Sequence, residues 1–195
     1  CGIQMLDSAD DIIPAALHFL GLNPNSHDPK DLEKASDMLA KIRPLVRKFH
    51  SSEYLNALAS GEICLVVGWS GDVKQAQRRA TEAKNGVEIG YSIPKEGAQM
   101  FFDNLAIPKD AAHVAEAHAF IDYLLRPQVA AANSNLVAYA NGNLASQKLI
   151  DKAVLDDRSV YPDVPTMSRL YTVNARDQKS QRLINRLWTK IKTGR

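Results

Sequence analysis

The fold is decided by the stretch Glu62-Ile-Cys-Leu-Val-Val-Gly-Trp-Ser-Gly-Asp72. Its apolar, β-branched run over residues 63–67 is too short for a helix and is typical of a strand buried on both faces, so it is predicted as the central strand of a sheet. Gly68 ends the strand. A helix-forming segment over residues 73–84 follows, with Asp72 in the position of a first-turn carboxylate.

The same stretch concentrates groups suited to ligand binding. In an open α/β sheet, ligands collect beyond the carboxyl ends of the strands. Trp69 offers a flat aromatic face, Ser70 and Gly71 are small enough to let a ligand approach, and Asp72 supplies one negative charge. This combination indicates a site for an organic cation that carries apolar methylenes. The alternative for Asp72 taken alone is a helix cap.

Composition excludes several classes of function. The 24 Lys and Arg residues against 22 Asp and Glu leave a net charge of +2, too near balance to indicate binding to nucleic acid or to an anionic membrane. No apolar run approaches the roughly 20 residues that span a bilayer. The histidines lack metal-ligand spacing, and neither a phosphate-binding glycine loop nor a Gly-x-Ser-x-Gly motif occurs. No metal or cofactor is therefore expected.

Further elements follow from hydrophobic periodicity and turn residues. Besides residues 63–67, strands are predicted at 1–6, 49–52, 87–93 and 100–107, with a short extended piece at 136–139. Helices are predicted at 10–20, 32–42, 53–59, 73–84, 111–125, 127–133 and 175–191. This alternation indicates an α/β fold.

The two cysteines and the first residues admit more than one interpretation. Cys1 and Cys64 fall at or in predicted strands, where they are either buried free thiols of a reducing compartment or a disulfide of an oxidising one. The chain opens directly in a strand pattern without an initiator Met, which leads us to expect an internal fragment, a cleaved product or one piece of a split chain.

Short motifs spread over essentially the whole chain, taken together, resemble the later part of the periplasmic putrescine/spermidine-binding proteins of ABC transporters. The motifs are Cys1-Gly-Ile-Gln-Met-Leu-Asp7, Phe49-His-Ser-Ser52, Gly68-Trp-Ser-Gly-Asp72, Ile93-Pro-Lys-Glu-Gly97, Phe101-Phe-Asp103, Ala106-Ile-Pro-Lys109, Tyr139-Ala-Asn-Gly-Asn143 and Trp188-Thr-Lys-Ile-Lys192.

This resemblance implies an α/β, type II periplasmic-binding-protein fold, with two lobes joined by hinge strands and here lacking the N-terminal part. It assigns residues 1–84 to part of the second lobe, residues 85–144 to a crossover that completes part of the first lobe, and residues 145–195 to the return into the second lobe. Residues 87–93 are then a candidate hinge strand.

The resemblance also implies a set of ligand-binding residues. A diammonium ligand needs carboxylates for its ends and aromatic walls for its methylenes. The positions that match the family are Asp10, Ser51, Trp69, Asp72, Phe101, Asp103 and Tyr139. Asp10 stands where related proteins more often carry glutamate, so its carboxylate lies nearer the backbone. For Phe101 and Tyr139 the alternative is core packing, and an oxidising periplasm favours a disulfide between Cys1 and Cys64.

The implied function is capture of a polyamine in the cleft and delivery to an ABC permease, in the periplasm and without catalysis. The expected partners are the polyamine, the permease subunits and the missing N-terminal segment of the same protein, with no nucleic acid and no membrane insertion. Two alternatives remain open from the residues alone. One is a sensor domain for polyamines or other organic cations, and the other is a hydrolase that uses Asp72 and Asp103 as an acid and base pair.

Overall fold

A computed structural model describes residues 1–194. Its centre is a three-stranded sheet formed by β1 (Ile3–Met5), β2 (Val46–Phe49) and β3 (Leu65–Val67). The strands lie in the order β2-β1-β3, and both pairs are parallel. Helices connect them in the chain, as parallel pairing requires.

Helices account for most of the remaining regular structure. They are α1 (Ala9–Phe19), α2 (Pro29–Ile42), α3 (Tyr54–Ala59), α4 (Ser70–Ala83), α5 (Val114–Leu124), α6 (Pro127–Val137), α7 (Lys152–Leu155), α8 (Val164–Met167) and α9 (Gln178–Thr193), with 3-10 turns at Arg43–Leu45 and Leu144–Leu149. Across residues 1–194, no helix has both the length and the apolar character needed to cross a membrane.

Helices α2 and α9 begin at residues whose side chains cap the first turn. Asp28 accepts a hydrogen bond from the Lys30 N–H at 2.9 Å, and Pro29 occupies the first turn of α2, where its missing N–H costs little. At the start of α9, the side chain of Asp177 accepts the N–H groups of Lys179 and Ser180, both at 2.9 Å. These bonds, with those from the Ser180 hydroxyl and His27, hold the pKa of Asp177 well below its usual range.

The main core lies between the sheet and the helices from both ends of the chain. Ile13, Leu17, Leu32, Tyr54 and Ile184 are fully buried there. Helix α9 packs on α1 and α2, although it lies far from them in sequence. A smaller cluster formed by Ala131, Ile150, Val154 and Val160 joins α6 to α7.

Asp7 fixes the carboxyl-terminal helix to the loop after β1. Its Oδ1 accepts a hydrogen bond from Trp188 Nε1 at 3.0 Å and from Lys192 Nζ at 2.7 Å. The Lys192 bond is the main reason that the pKa of Asp7 is lowered. The two ends of the described chain are therefore joined by a partly buried ion pair as well as by apolar packing.

The predicted central strand is wrong in its position. Among residues 1–194, β1 and not β3 is the central strand, because β1 pairs with both neighbours while β3 pairs only with β1. Leu65 and Val67 are accordingly 57% and 43% exposed. The apolar character of residues 63–67 indicated a strand correctly, but its position in the sheet depends on long-range pairing.

Three other predicted extended segments are not strands. Residues 87–93 and 100–107 lie outside every strand of the described chain. At 136–139, where an extended piece was predicted, helix α6 ends at Val137 and Ala138 follows in the left-handed conformation with φ 57°. Near these segments, the described part of the chain forms only an isolated parallel bridge, between Gln99 and Tyr171. Alternating side chains favour an extended backbone, but a strand also needs a neighbour for its N–H and C=O groups.

Cys1 and Cys64 form the disulfide that the resemblance implied, with their Cα atoms 5.4 Å apart. The bond joins the residues just before β1 to those just before β3, where the Cys64 N–H also donates to the Gly2 carbonyl at 3.3 Å. The prediction is confirmed, and the alternative of two free thiols is wrong.

Replacing both cysteines by serine in the full-length protein should lower its free energy of unfolding. The cross-link spans 63 residues, and the chain-entropy model gives about 4 kcal/mol for a loop of that length. Urea unfolding of the oxidised protein and the Cys1→Ser/Cys64→Ser variant measures the difference, with dithiothreitol-reduced protein as the control. Equal unfolding midpoints for all three samples would contradict the prediction.

Candidate functional site

Three of the predicted binding residues follow the carboxyl ends of the three strands. Met5, Phe49 and Val67 lie side by side in the sheet. Asp10 is in the first turn of α1 after β1, Ser51 is in the loop after β2, and Asp72 is in the first turn of α4 after β3. Parallel strands all end at one edge, so these residues gather at the edge where such sheets bind ligands.

Two tyrosine hydroxyls hold the carboxylate of Asp72. Tyr54 Oη donates to Oδ2 at 2.8 Å, and Tyr139 Oη donates to Oδ1 at 3.0 Å. Tyr54 in turn accepts the backbone N–H of Trp69 at 3.2 Å. Side chains from α3 and from the segment after α6 therefore fix both oxygens. The cap of α4 is Trp69, with no side-chain bond, so Asp72 does not act as the helix cap.

Gly68 and Gly71 provide the room for these two tyrosine rings. A Cβ atom at Gly68 would lie 2.7 Å from Cε2 of Tyr54, and a Cβ at Gly71 would overlap the Tyr139 ring. Gly71 was expected to let a ligand approach. In the structure the Tyr139 ring fills the space beside Gly71. Because Tyr139 donates to Asp72, the absence of a side chain at Gly71 helps to position that carboxylate.

Burial keeps both tyrosines protonated. Desolvation raises the pKa of Tyr54 above its usual range, and the hydrogen bond to Asp72 and the charge of Asp72 raise it further. Desolvation likewise raises the pKa of Tyr139, followed by the effect of the Asp72 charge. The charge of Asp103 also contributes to the shift at Tyr139. Both phenols thus remain hydrogen-bond donors to Asp72.

Two further aromatic residues lie beside the tyrosines that hold this carboxylate. Phe101 meets Tyr139 edge to face, with centroids 6.1 Å apart and planes at 70°. Trp69 is only partly buried against the main core, and Phe101 is 40% exposed. Neither Phe101 nor Tyr139 belongs to a buried core cluster, which disfavours the core-packing alternative for both.

The remaining predicted residues, Asp10, Ser51 and Asp103, differ in their contacts with the residues around Asp72. Asp103 is exposed and interacts with the site through its charge on Tyr139. Asp10 forms an ion pair with Arg176, whose Nη1 lies 2.6 Å from Oδ1. Ser51 is half-buried, and no hydrogen bond in the described chain connects it to Asp10 or Asp72.

Two residues of the site were missed by sequence analysis. Tyr54 carried one usable signal, since a buried tyrosine hydroxyl needs a polar partner. Arg176 carried none, because it belongs to this edge only through the return of the distant carboxyl-terminal segment. Within residues 1–194, no group of three or more His, Cys, Asp or Glu side chains is placed to hold a metal ion.

Comparison with known proteins identifies the class to which this fold and site belong. The family model described as bacterial extracellular solute-binding protein matches residues 2–160. The chain belongs to that family.

Particular relatives are similar along the whole chain. The putrescine-binding periplasmic protein SpuD of Pseudomonas aeruginosa is 47% identical over 100% of this chain, which covers 53% of SpuD. The putrescine-binding periplasmic protein PotF of Escherichia coli is 46% identical, with the same coverage of both chains. The chain therefore spans about half the length of the curated relatives it matches.

Solved structures agree with this assignment. A putative spermidine/putrescine ABC transporter protein from Listeria monocytogenes superposes with a TM-score of 0.87 at 30% identity, over 99% of this chain and 58% of that one. The spermidine/putrescine substrate-binding protein PotD of Streptococcus pneumoniae gives 0.79 at 29% identity, over 98% and 58%. The predicted α/β periplasmic-binding-protein fold is confirmed.

The buried tyrosines predict loss of stability at alkaline pH. Burial raises the pKa of Tyr171 to about 12 and also raises those of Tyr54 and Tyr139. Unfolded phenols titrate at about pH 10, so above that pH the unfolded state binds fewer protons than the native state. The free energy of unfolding should therefore fall as the pH rises from about 9 to about 11.

Urea unfolding of the full-length protein at several pH values measures this slope. Tyr139→Phe should make the slope shallower, because one shifted phenol is removed. Identical slopes in the wild type and Tyr139→Phe would show that Tyr139 does not titrate as described.

Proposed function

We propose that this chain is part of a periplasmic solute-binding protein that captures a polyamine of the putrescine/spermidine class between two lobes and delivers it to an ABC permease. The observation that carries the proposal is the Asp72 carboxylate, held by the hydroxyls of Tyr54 and Tyr139 at the ligand-binding edge of the sheet. The names of SpuD and PotF, both putrescine-binding periplasmic proteins, support the ligand class and the compartment.

The arrangement suits an ammonium group joined to methylenes. A carboxylate has about four acceptor positions, and the two tyrosines use one on each oxygen, so acceptor capacity remains for a cation. The hydrogen bonds from Tyr54 and Tyr139 keep the Asp72 carboxylate in one orientation, which reduces the loss of side-chain freedom on binding. Trp69, Phe101 and Tyr139 supply aromatic faces for the methylenes and for cation–π contact.

The same geometry disfavours catalysis. A hydrolase using Asp72 and Asp103 as an acid and base pair would need both of them free to exchange protons with a substrate. Both oxygens of Asp72 already accept hydrogen bonds from phenols, and the raised pKa values of these phenols make them poor proton donors to a substrate. The relatives are named as solute-binding proteins. We therefore favour binding without turnover over the hydrolase, and transport over a sensor role.

The lobe assignment also enters as a proposal. Residues 1–84 and 145–195 would form part of the second lobe, and residues 85–144 would cross over to the first. The packing of α9 on α1 and α2 supports the return of the carboxyl-terminal segment. Residues 87–100 follow α4 without forming a helix or strand and are held to it by a 2.6 Å bond from Gln77 Nε2 to the Ile89 carbonyl, which fits a connection between lobes.

A companion segment of the same protein completes the first lobe in this proposal. Helix α5 buries none of its residues, although its hydrophobic side chains include Phe120 and Tyr123, at 57% and 48% exposure. Phe102 and Leu105 are also exposed, at 67% and 58%. An apolar surface of this kind on a solute-binding domain needs a cover, and the relatives contain about as much chain again.

Residues 1–195 expressed alone should aggregate or lack cooperative unfolding, because α5 and the exposed edge of β3 would remain uncovered. Full-length protein should be monodisperse and should unfold cooperatively. Size-exclusion chromatography and thermal unfolding distinguish the two samples. A monodisperse 195-residue monomer with cooperative unfolding would exclude the companion.

Calorimetry of the full-length protein tests the binding function. Titration with putrescine, cadaverine, spermidine, spermine and agmatine should give saturable binding of at least one amine. Asp103→Asn should weaken diamine binding by roughly 2 kcal/mol or more, since a desolvated cation loses a charged partner. Asp72→Asn should weaken it at least as much.

Asp110→Asn is the matched control, because Asp110 is an exposed carboxylate outside the predicted site. It should leave the dissociation constants unchanged. Absence of binding for every amine would refute the proposed function. Unchanged binding in Asp103→Asn would instead remove only Asp103 from the site.

A further inference from the structure

Arg176 is a buried cation beside the candidate polyamine site. Its side chain is only 4% exposed, and its Nη1 donates to Asp10 Oδ1 at 2.6 Å, while the Asp10 side chain is 62% exposed. The guanidinium Nε and Nη2 are also buried and have no hydrogen-bond partner among the described residues. Within residues 1–194, Asp10 is therefore the one ionic partner of the desolvated Arg176 guanidinium, and such a charge is costly without a partner.

The chain brings this cation to the site from far away in sequence. Arg176 directly precedes Asp177, the residue that caps α9. A hydrogen bond from the Asn174 N–H to Asn25 Oδ1, at 2.7 Å, holds the preceding segment against the loop after α1. A second bond, from Asn25 Nδ2 to the Thr172 carbonyl, is 2.8 Å long. The position of Arg176 beside Asp10 is thus built into the packing of the carboxyl-terminal segment.

We infer that Arg176 is a specificity-determining residue that adjusts the charge of the site to a dication. The inference rests on the proposed function. In the part of the site that the described residues form, the three predicted carboxylates of Asp10, Asp72 and Asp103, combined with the guanidinium of Arg176, leave two negative charges. A doubly charged diamine neutralises these two charges. A triply charged triamine would leave an excess of positive charge in a partly desolvated site, which opposes its binding.

The ion pair modifies Asp10 without removing it as an acceptor. Arg176 engages only Oδ1, and Oδ2 has no hydrogen bond in the described chain. An ammonium group can therefore still approach the exposed side of Asp10. Its attraction to the carboxylate is weaker because the guanidinium charge lies on the other side. Removing that guanidinium should strengthen the attraction, and the gain should be larger for the more highly charged ligand.

The test compares dissociation constants for putrescine and spermidine, measured by calorimetry on the full-length protein. Arg176→Gln should shift the ratio of the two constants toward spermidine by about tenfold, the order expected for one charge at a partly screened distance. Arg176→Lys retains the charge and should keep the wild-type ratio. Asp10→Asn should shift the ratio in the opposite direction, toward putrescine.

The double variant Asp10→Asn/Arg176→Gln separates a charge effect from a structural one. It again leaves two negative charges, so its ratio should return to the wild-type value. A merely structural role of Arg176 would give no such return. The double variant removes both members of the ion pair, so it also tests the inference if Arg176→Gln alone fails to fold. A ratio of the two dissociation constants equal to that of Asp10→Asn would overturn the inference.

Arg182→Gln is the matched control for net charge, since Arg182 is exposed on α9. Its ratio should equal that of the wild type. An unchanged ratio in folded Arg176→Gln would overturn this inference while leaving the proposed function intact. A wild-type protein that binds neither amine would overturn both.

Discussion

The hydrogen bonding of one carboxylate holds the candidate site together. Asp72 accepts from Tyr54 on α3 and from Tyr139 after α6, residues separated from it by 18 and 67 positions in the chain. Three segments therefore meet at one pair of oxygen atoms. Because both donors are partly desolvated phenols, the bonds form in a medium of reduced dielectric constant, where they restrict the carboxylate more strongly than they would in water.

Close packing makes this arrangement possible. Gly68 and Gly71 lie on either side of Trp69-Ser70, and each is opposed by a tyrosine ring that a methyl group would displace. The stretch that appears in the sequence as a flexible, glycine-containing turn is in fact tightly packed. The two glycines leave the space in which the two tyrosine rings lie, and the tyrosines in turn position Asp72 at the candidate binding edge of the sheet.

Local sequence was informative where local chemistry decides the structure. The apolar run before Gly68 and the carboxylate after Trp69 were both predicted from neighbouring residues. Resemblance added the pairing of Cys1 with Cys64, which composition left open. The placement of Asp10, Ser51 and Asp72 at one edge then follows from parallel pairing of the three strands.

Long-range contacts account for what the sequence could not show. The order of strands depends on which neighbours β1 acquires, so the edge position of β3 was missed. Residues 87–93 and 100–107 have the alternation of strands but pair with no other described strand. Arg176 and Tyr54 reach the site through packing of distant helices, and no spacing near Asp72 or Asp10 indicates them.

The position of the disulfide has a practical consequence. It joins the amino ends of β1 and β3, opposite the edge that carries Asp10 and Asp72, and it uses both cysteines of the chain. A cysteine introduced beside the binding edge would thus be the single reactive thiol in this part of the protein. It would accept a fluorescent label at the opposite end of the strands from the native bond, where the label would report ligand binding directly.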